Sequence, residues 1–216
     1  MSVLVVNCNQ WLGYHVVNVL LENDYNVRGI AGNEKGHSQD NESMLMEDDL
    51  SLFFGRNSSF TMIAPDENKT YDIGIIAGDY EHKLNQKVGK LFVINPRTEQ
   101  IRLIKHGSCT IIKVPLLFGE WMPMNEEGIF LLNEFIPFTS DYFKETAVYA
   151  GDFVRALIQW LEIPALPSVL HVYSSKYERN TDTILDKAIY LRDNMPISEK
   201  VKSVVNHYRS FRKLNN

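Results

Sequence analysis

Apolar residues in this chain fall into short continuous runs that alternate with longer, spaced sets. Val3 to Asn7 is a run of the kind buried on both faces of a sheet. Trp11 to Glu22 follows with Leu12, Val16, Val17, Val19, Leu20 and Leu21, a density that predicts a helix packed on that sheet. Asn23-Asp24 breaks the helix, and Asn26 to Ile30 supplies a second strand. Strand, helix, strand in that order is the unit from which parallel sheets are built.

The alternation continues. Residues 31–42, rich in Gly, Asn, Ser and charge, read as a surface loop, and Met44 to Phe54 as a helix ended by Gly55. Phe60 to Ile63, Tyr71 to Ala77, Lys90 to Ile94 and Thr110 to Val114 are further strands. Asp79 to Gly89 leaves room for about two helical turns. Pro96 can open a helix that runs to Lys105 and stops at Gly107.

Beyond Gly119 the pattern is less regular. Gly128 to Phe135 is expected to be a helix whose first turn is capped by Asn125 with Glu126-Glu127. Asp152 to Glu162 is a second helix with Asp152 as its N-cap, Val169 to Tyr173 a strand, and Ile184 to Arg192 another helix. Glu199 to Arg212 carries Val201, Val204, Val205, Tyr208 and Phe211 at helical spacing, an apolar stripe for docking on the body. The expected fold is α/β: a Rossmann-like, mostly parallel sheet with helices on both faces and shortened crossovers. Residues 1–120 form that domain, and 121–216 a mixed, partly helical C-terminal lobe packed on it rather than an independent domain.

Only Ala64 to Thr70 joins the third and fourth strands, fewer residues than a helical crossover needs. Either the chain crosses the sheet in extended form, the preferred reading, or the Phe60 strand turns back as a hairpin. An extended crossing leaves one face thinly covered. Ile73, Ile75, Phe92 and Ile94 are then expected to form an exposed apolar patch, covered by a second copy or a partner protein.

Composition narrows the classes. At 216 residues with 44% hydrophobic and 23% charged residues, the chain can bury one substantial core and shows neither disorder nor a membrane-spanning run. A net charge of −5 argues against nucleic acid. Met1 leads directly into the first strand with no basic, signal-like region, and Cys8 and Cys109 make no disulfide framework, so a cytoplasmic location is expected. The six histidines lack metal-ligand spacing, and no metal is expected.

Val3 to Ile30 resembles the opening of the NAD-dependent epimerase/dehydratase family, the extended short-chain dehydrogenases, in which a strand, a Gly-x-x-Gly-x-x-Gly turn, a helix and a strand follow in order. Asn7 and Gln10 occupy the first two glycine positions, and Gly13 keeps the third. The similarity continues through Asp72 to Ala77, through Lys113-Val114-Pro115-Leu116-Leu117-Phe118-Gly119 beside Arg-Pro-x-x-x-Tyr-Gly, and through Val148 to Ala156 beside His-Val-x-Asp-Val-Ala-Arg-Ala. It covers residues 3 to about 175.

The resemblance implies a dinucleotide over Asn7, Asn9, Gln10, Trp11, Leu12, Gly13 and Ala77, although the end of the second strand offers no acid for a ribose hydroxyl and no arginine for a ribose phosphate. It also implies a Tyr-x-x-x-Lys pair and a strand-end Ser, whose chemistry needs a phenol pKa lowered by the lysine. The sequence has no such pair, and Tyr149 is the one weak catalytic candidate. Three readings follow. The first is a catalytically degenerate relative, a pseudoenzyme acting by ligand or protein binding, with no cofactor or with NAD(P). The second is an NAD(P)-dependent oxidoreductase or epimerase on a nucleotide-activated sugar, and the third an assembly protein without ligand.

Overall fold

A computed structural model describes residues 1–32, 56–80, 84–97, 108–131, 134–176, 188–192 and 194–214. The opening unit is as expected: β1 (Ser2–Val6), α1 (Trp11–Glu22) and β2 (Asn26–Ile30). Then come β3 (Phe60–Met62), β4 (Thr70–Ala77), β5 (Lys87–Ile94) and β6 (Cys109–Lys113). The rest is β7 (Leu116–Phe118), β8 (Gly128–Leu131), β9 (Glu134–Pro137), α2 (Asp141–Thr146), β10 (Ala147–Tyr149), α3 (Ala150–Leu161), β11 (Val169–Ser174), β12 (Ala188–Leu191) and α4 (Ile197–Leu214). The main sheet has eight strands in the order β12-β11-β6-β5-β4-β1-β2-β3. The registers β1–β2, β1–β4, β2–β3, β4–β5, β5–β6 and β11–β12 are all parallel. The order 3-2-1-4-5-6 within it is that of a doubly wound Rossmann sheet.

The chain divides into two compact units, Met1–Lys113 with Ile158–Leu170, and Val114–Leu157 with His171–Asn216.

In the first unit, Ile73, Ile75, Phe92 and Ile94 are buried, so the exposed patch expected of them is absent. Alternation along β5 puts Lys90 on the same side as Phe92 and Ile94. Its ammonium donates to the carbonyl oxygens of Leu161 (3.1 Å) and Ile163 (2.8 Å), so the end of α3 and the residues after it lie over this side of the sheet. A lysine at the last carbonyls of a helix also meets the negative end of its dipole.

A second cluster joins Leu4, Val6, Ile30, Ile76, Leu91 and Val93 to Tyr71, Tyr80 and Val88, with Ile63, Leu84 and Cys109 packed against it. Ile63, Tyr80 and Leu84 come from connecting segments rather than from helices. The extended crossing is retained, because β3 pairs with β2 in parallel and the hairpin alternative required it to turn back. Gln86, buried at the start of β5, pins that crossing by donating from Nε2 to the carbonyls of Pro65 (3.0 Å) and Glu67 (2.8 Å).

Several expectations are corrected. Gly128 to Phe135 is not a helix; β8 and β9 pair antiparallel from Gly128 opposite Pro137 to Leu131 opposite Glu134. Asn125 does satisfy local N–H groups, accepting from Glu127 (2.8 Å) and Gly128 (3.0 Å), but this is an Asx turn leading into a strand. A Cβ on Gly128 would lie 2.4 Å from the Ile136 carbonyl oxygen, so the hairpin requires glycine there. Ala188–Leu191 is a strand rather than part of a helix, in keeping with the strand preference of Ile189 and Tyr190. The helix α3 starts at Ala150, which puts Asp152 in its first turn rather than at its cap. Gly89 lies within β5, so no helix extends that far. The expected helix Met44 to Phe54, the Ile184 to Lys187 part of another, the loop from Asn33 onward, and residues 98–107 of the Pro96 helix lie outside the described residues. No helix among the described residues is long and apolar enough to cross a membrane.

Gln86→Ala removes both bonds to the crossing and leaves a void. We expect it to lower unfolding free energy by about 1–3 kcal/mol in urea titration; an unchanged midpoint would show that the crossing is held by other contacts.

Candidate functional site

The first unit builds its candidate site where β1 turns into α1. Asn7 sits at φ 62°, the left-handed conformation that a glycine at this position would supply, and asparagine tolerates it better than most residues. Its carbonyl accepts from the Gln10 N–H (3.0 Å), closing the turn, while the Cys8 N–H donates to Ile30 (3.2 Å). The buried Asn7 amide donates from Nδ2 to the carbonyls of Ala77 (3.1 Å) and Asp79 (2.6 Å), tying the turn to the end of β4. A Cβ on Gly13 would stand 2.0 Å from the Asn7 carbonyl oxygen, so the helix approaches the strand only because this residue is glycine.

Side chains then bridge this turn to the end of β2. Asn9 Oδ1 accepts from the Gly32 N–H at 2.7 Å. A Cβ on Gly32 would meet Asn7 Oδ1 at 2.5 Å and Gln10 Nε2 at 2.8 Å, so both amides lie directly against it. Trp11 begins α1 and its ring stands edge-on to His15 at 6.1 Å, while Leu12 is buried in the core. Of the sequence-predicted residues, Asn7, Asn9, Gln10 and Gly13 with Ala77 are brought together here. Cys8 beside them is no nucleophile: burial pushes its thiol up to about 12.

The second unit holds a polar cluster around Tyr149. Parallel pairing of β10 with β7 sets Tyr149 opposite Phe118, and Glu120 follows two residues later in the chain. The Tyr149 hydroxyl lies 2.9 Å from each oxygen of the Glu120 carboxylate, to which it donates. Burial, and then the Glu120 charge and hydrogen bond, push the phenol well above its ordinary value near 10. A Cβ on Gly151 would lie 2.6 Å from the Tyr149 ring, so that glycine admits the ring.

Lys200 of α4 is only 5% exposed and its ammonium is paired with Asp152, itself 11% exposed, which also receives Arg155 at 3.2 Å. That ammonium is 5.8 Å from the centre of the Tyr149 ring and serves Asp152 rather than the phenol. Trp121 has φ 67°, an outlier for so bulky a residue, and its ring meets His207 at 4.5 Å and Phe211 at 5.0 Å, both edge-on. Burial lowers the His207 pKa, opposed by the Glu120 charge. Sequence reasoning named Tyr149 and missed Glu120, Lys200 and His207. They are 29 to 58 positions away from it in the chain, with no spacing rule to link them.

The parallel sheet order and the glycine-assisted β1–α1 turn define a Rossmann-like fold. No family model matches the sequence, and no curated protein matches it. Among solved structures, the chain is similar to a dTDP-glucose 4,6-dehydratase from Bacillus anthracis in complex with NAD, at 7% identity and a TM-score of 0.60, covering 97% of each chain. It is similar to a UDP-glucuronic acid 4-epimerase from Bacillus cereus in complex with NAD, at 13% identity and 0.55, over 96% of this chain and 91% of the other. It is also similar to vestitone reductase from alfalfa, Medicago sativa, at 12% identity and 0.54, over 97% and 98%.

The residues present do not fit a dinucleotide laid over an open glycine turn. Two of the three glycine positions carry amide side chains, and Asn7, Asn9 and Gln10 converge on Gly32, at the strand end where a ribose would need room and a partner. Tyr149 is equally far from the family's acid/base arrangement, because a carboxylate rather than an ammonium faces its hydroxyl.

Two outcomes test this geometry. Lys200→Met leaves the Asp152 carboxylate only its mostly exposed Arg155 partner and should cost about 1–3 kcal/mol in unfolding free energy, much of it recovered in the Asp152→Leu/Lys200→Met double variant; a single variant as stable as the parent contradicts a buried pair. A raised folded-state phenol pKa means the Tyr149 contribution is fully present below pH 10 and lost as pH rises through the higher folded value. Difference absorbance titration against Tyr149→Phe should show late ionisation, moved to lower pH by Glu120→Gln.

Proposed function

We propose that this chain is a catalytically degenerate relative of the NAD-dependent epimerases and dehydratases, acting by binding a ligand or a partner protein rather than by hydride and proton transfer. The observation that carries this reading is the closure of Asn9 and Gln10 onto Gly32 at the strand end where a dinucleotide would lie. The Tyr149–Glu120 pair supports it from the other unit. A phenol held protonated beside a carboxylate is poorly suited to exchange protons near neutral pH, where such catalysis needs a pKa close to the working pH.

The competing reading, an NAD(P)-dependent oxidoreductase or epimerase on a nucleotide-activated sugar, draws on the names of the similar structures and on the fold they share. It requires Tyr149 to change partners and the Asn7–Gln10 turn to open. An assembly protein without ligand is the limiting case of the favoured reading. Association with a second copy or with a partner protein, and a cytoplasmic location, also belong to it.

Isothermal titration with NAD, NADP and their reduced forms tests it. Saturable binding should be absent at cofactor concentrations where the family's enzymes are loaded, and Gln10→Gly should not lose any function the chain has. Tight binding of a reduced cofactor, with turnover of a nucleotide sugar that Tyr149→Phe abolishes, would overturn the reading.

A further inference from the structure

The β8–β9 hairpin is a two-stranded sheet of its own. Such a ribbon is marginal in water unless one face is packed, and here only the inner face is: Ile129 is fully buried, opposite Ile136. The outer face carries Phe130 and Phe135, directly paired across the strands with ring centres 5.2 Å apart and still 43% and 41% exposed. Leu131, which alternation places on the Ile129 side, is 37% exposed at the strand end. Burying the exposed part of these rings would contribute apolar stabilisation that the isolated chain forgoes.

Charge singles out the same stretch. Between Val114 and Ala147 there are six carboxylates, Glu120, Glu126, Glu127, Glu134, Asp141 and Glu145, against one lysine, Lys144, a net −5 equal to that of the whole chain, so that the rest is neutral. Glu127, Glu134, Asp141 and Glu145 are exposed and lie near the aromatic pair in sequence, and among the described residues Asp141 is paired with Lys144 at 3.7 Å.

We propose that the outer face of this hairpin docks a partner protein segment that presents apolar side chains flanked by lysine or arginine. The aromatic pair supplies the buried centre of such an interface, and the carboxylates supply its rim and its attraction for the right partner. An anionic lipid surface is repelled by the same carboxylates. A two-fold pairing of copies would set this acidic stretch against itself. Three of the five cations of α4 are engaged within their own chain, Arg209 with Glu126 (3.0 Å), Arg212 over the Tyr208 ring and Lys200 with Asp152. The proposal rests on reading the chain as a binding protein, and the cofactor titration can sink that reading without touching this site.

The test uses the full chain and a labelled synthetic amphipathic peptide of leucine and lysine, followed by fluorescence anisotropy, with a leucine and glutamate peptide and a scrambled leucine–lysine peptide as controls. The amphipathic cationic peptide should bind and both controls should not. Phe130→Ser should weaken binding about tenfold or more. Glu134→Lys/Glu145→Lys, at exposed positions that leave the fold intact by circular dichroism, should weaken it as well. Absence of binding, equal binding by Phe130→Ser, comparable binding of phosphatidylserine vesicles, or a dimer in sedimentation that Phe130→Ser dissolves would each overturn the proposal.

Discussion

One amide side chain, that of Asn7, joins the first strand-to-helix turn to the far side of the sheet's centre. Its backbone takes the left-handed conformation, its carbonyl receives the Gln10 N–H and lies against Gly13, and its Nδ2 holds the carbonyls of Ala77 and Asp79. A glycine would satisfy all of these roles but the last, which needs the side-chain amide. The substitution therefore keeps the geometry of the turn and fills, with hydrogen-bonded protein, space that a glycine leaves open. Asn9 extends this network by accepting from the Gly32 N–H, and the Gln10 amide lies against the same residue.

The second unit shows a related trade in charge. Lys200 and Asp152 are nearly out of solvent, and Glu120 is bound to a phenol whose ionisation it opposes. Buried ions are costly unless paired. Here each carboxylate has its donor, so the cluster is satisfied as it stands and fixes α4 against α3 through Lys200–Asp152. The strained Trp121 backbone is held by the two α4 rings that meet its side chain. The net negative charge of the chain falls within Val114 to Ala147, the stretch that contains the β8–β9 hairpin.

Much of the first unit was legible in the sequence because its signals are local. The short apolar runs of β1, β4 and β5 and the longer dense stripe of α1 from Trp11 to Glu22 are told apart by their length and by the breakers that bound them. The seven residues from Ala64 to Thr70 were enough to predict a crossing without a helix. What the sequence did not disclose is which face that crossing thins: Ile73, Ile75, Phe92 and Ile94 lie under the end of α3, and the connecting segments cover the opposite cluster. The Gly128–Phe135 stretch misled because Ile129-Phe130-Leu131 and Phe135-Ile136 suit a helix stripe as well as two alternating strands, and only the register across the turn decides between them. The Tyr149–Glu120 contact depends on β7 pairing with β10. Lys200, on a helix rich in exposed cations, carries no local sign of burial.

Side chains of Asn7, Asn9 and Gln10 occupy the turn where a dinucleotide would sit on such a fold, and Asn9 holds the Gly32 amide. Native-state hydrogen exchange of the Gly32 amide, read by NMR with and without saturating NADH or NADPH, addresses it most directly. A slowly exchanging amide, held by Asn9 Oδ1, is expected, with a rate and chemical shift that do not respond to either cofactor; a freely exchanging amide, or one that shifts and slows when cofactor is added, would contradict that arrangement.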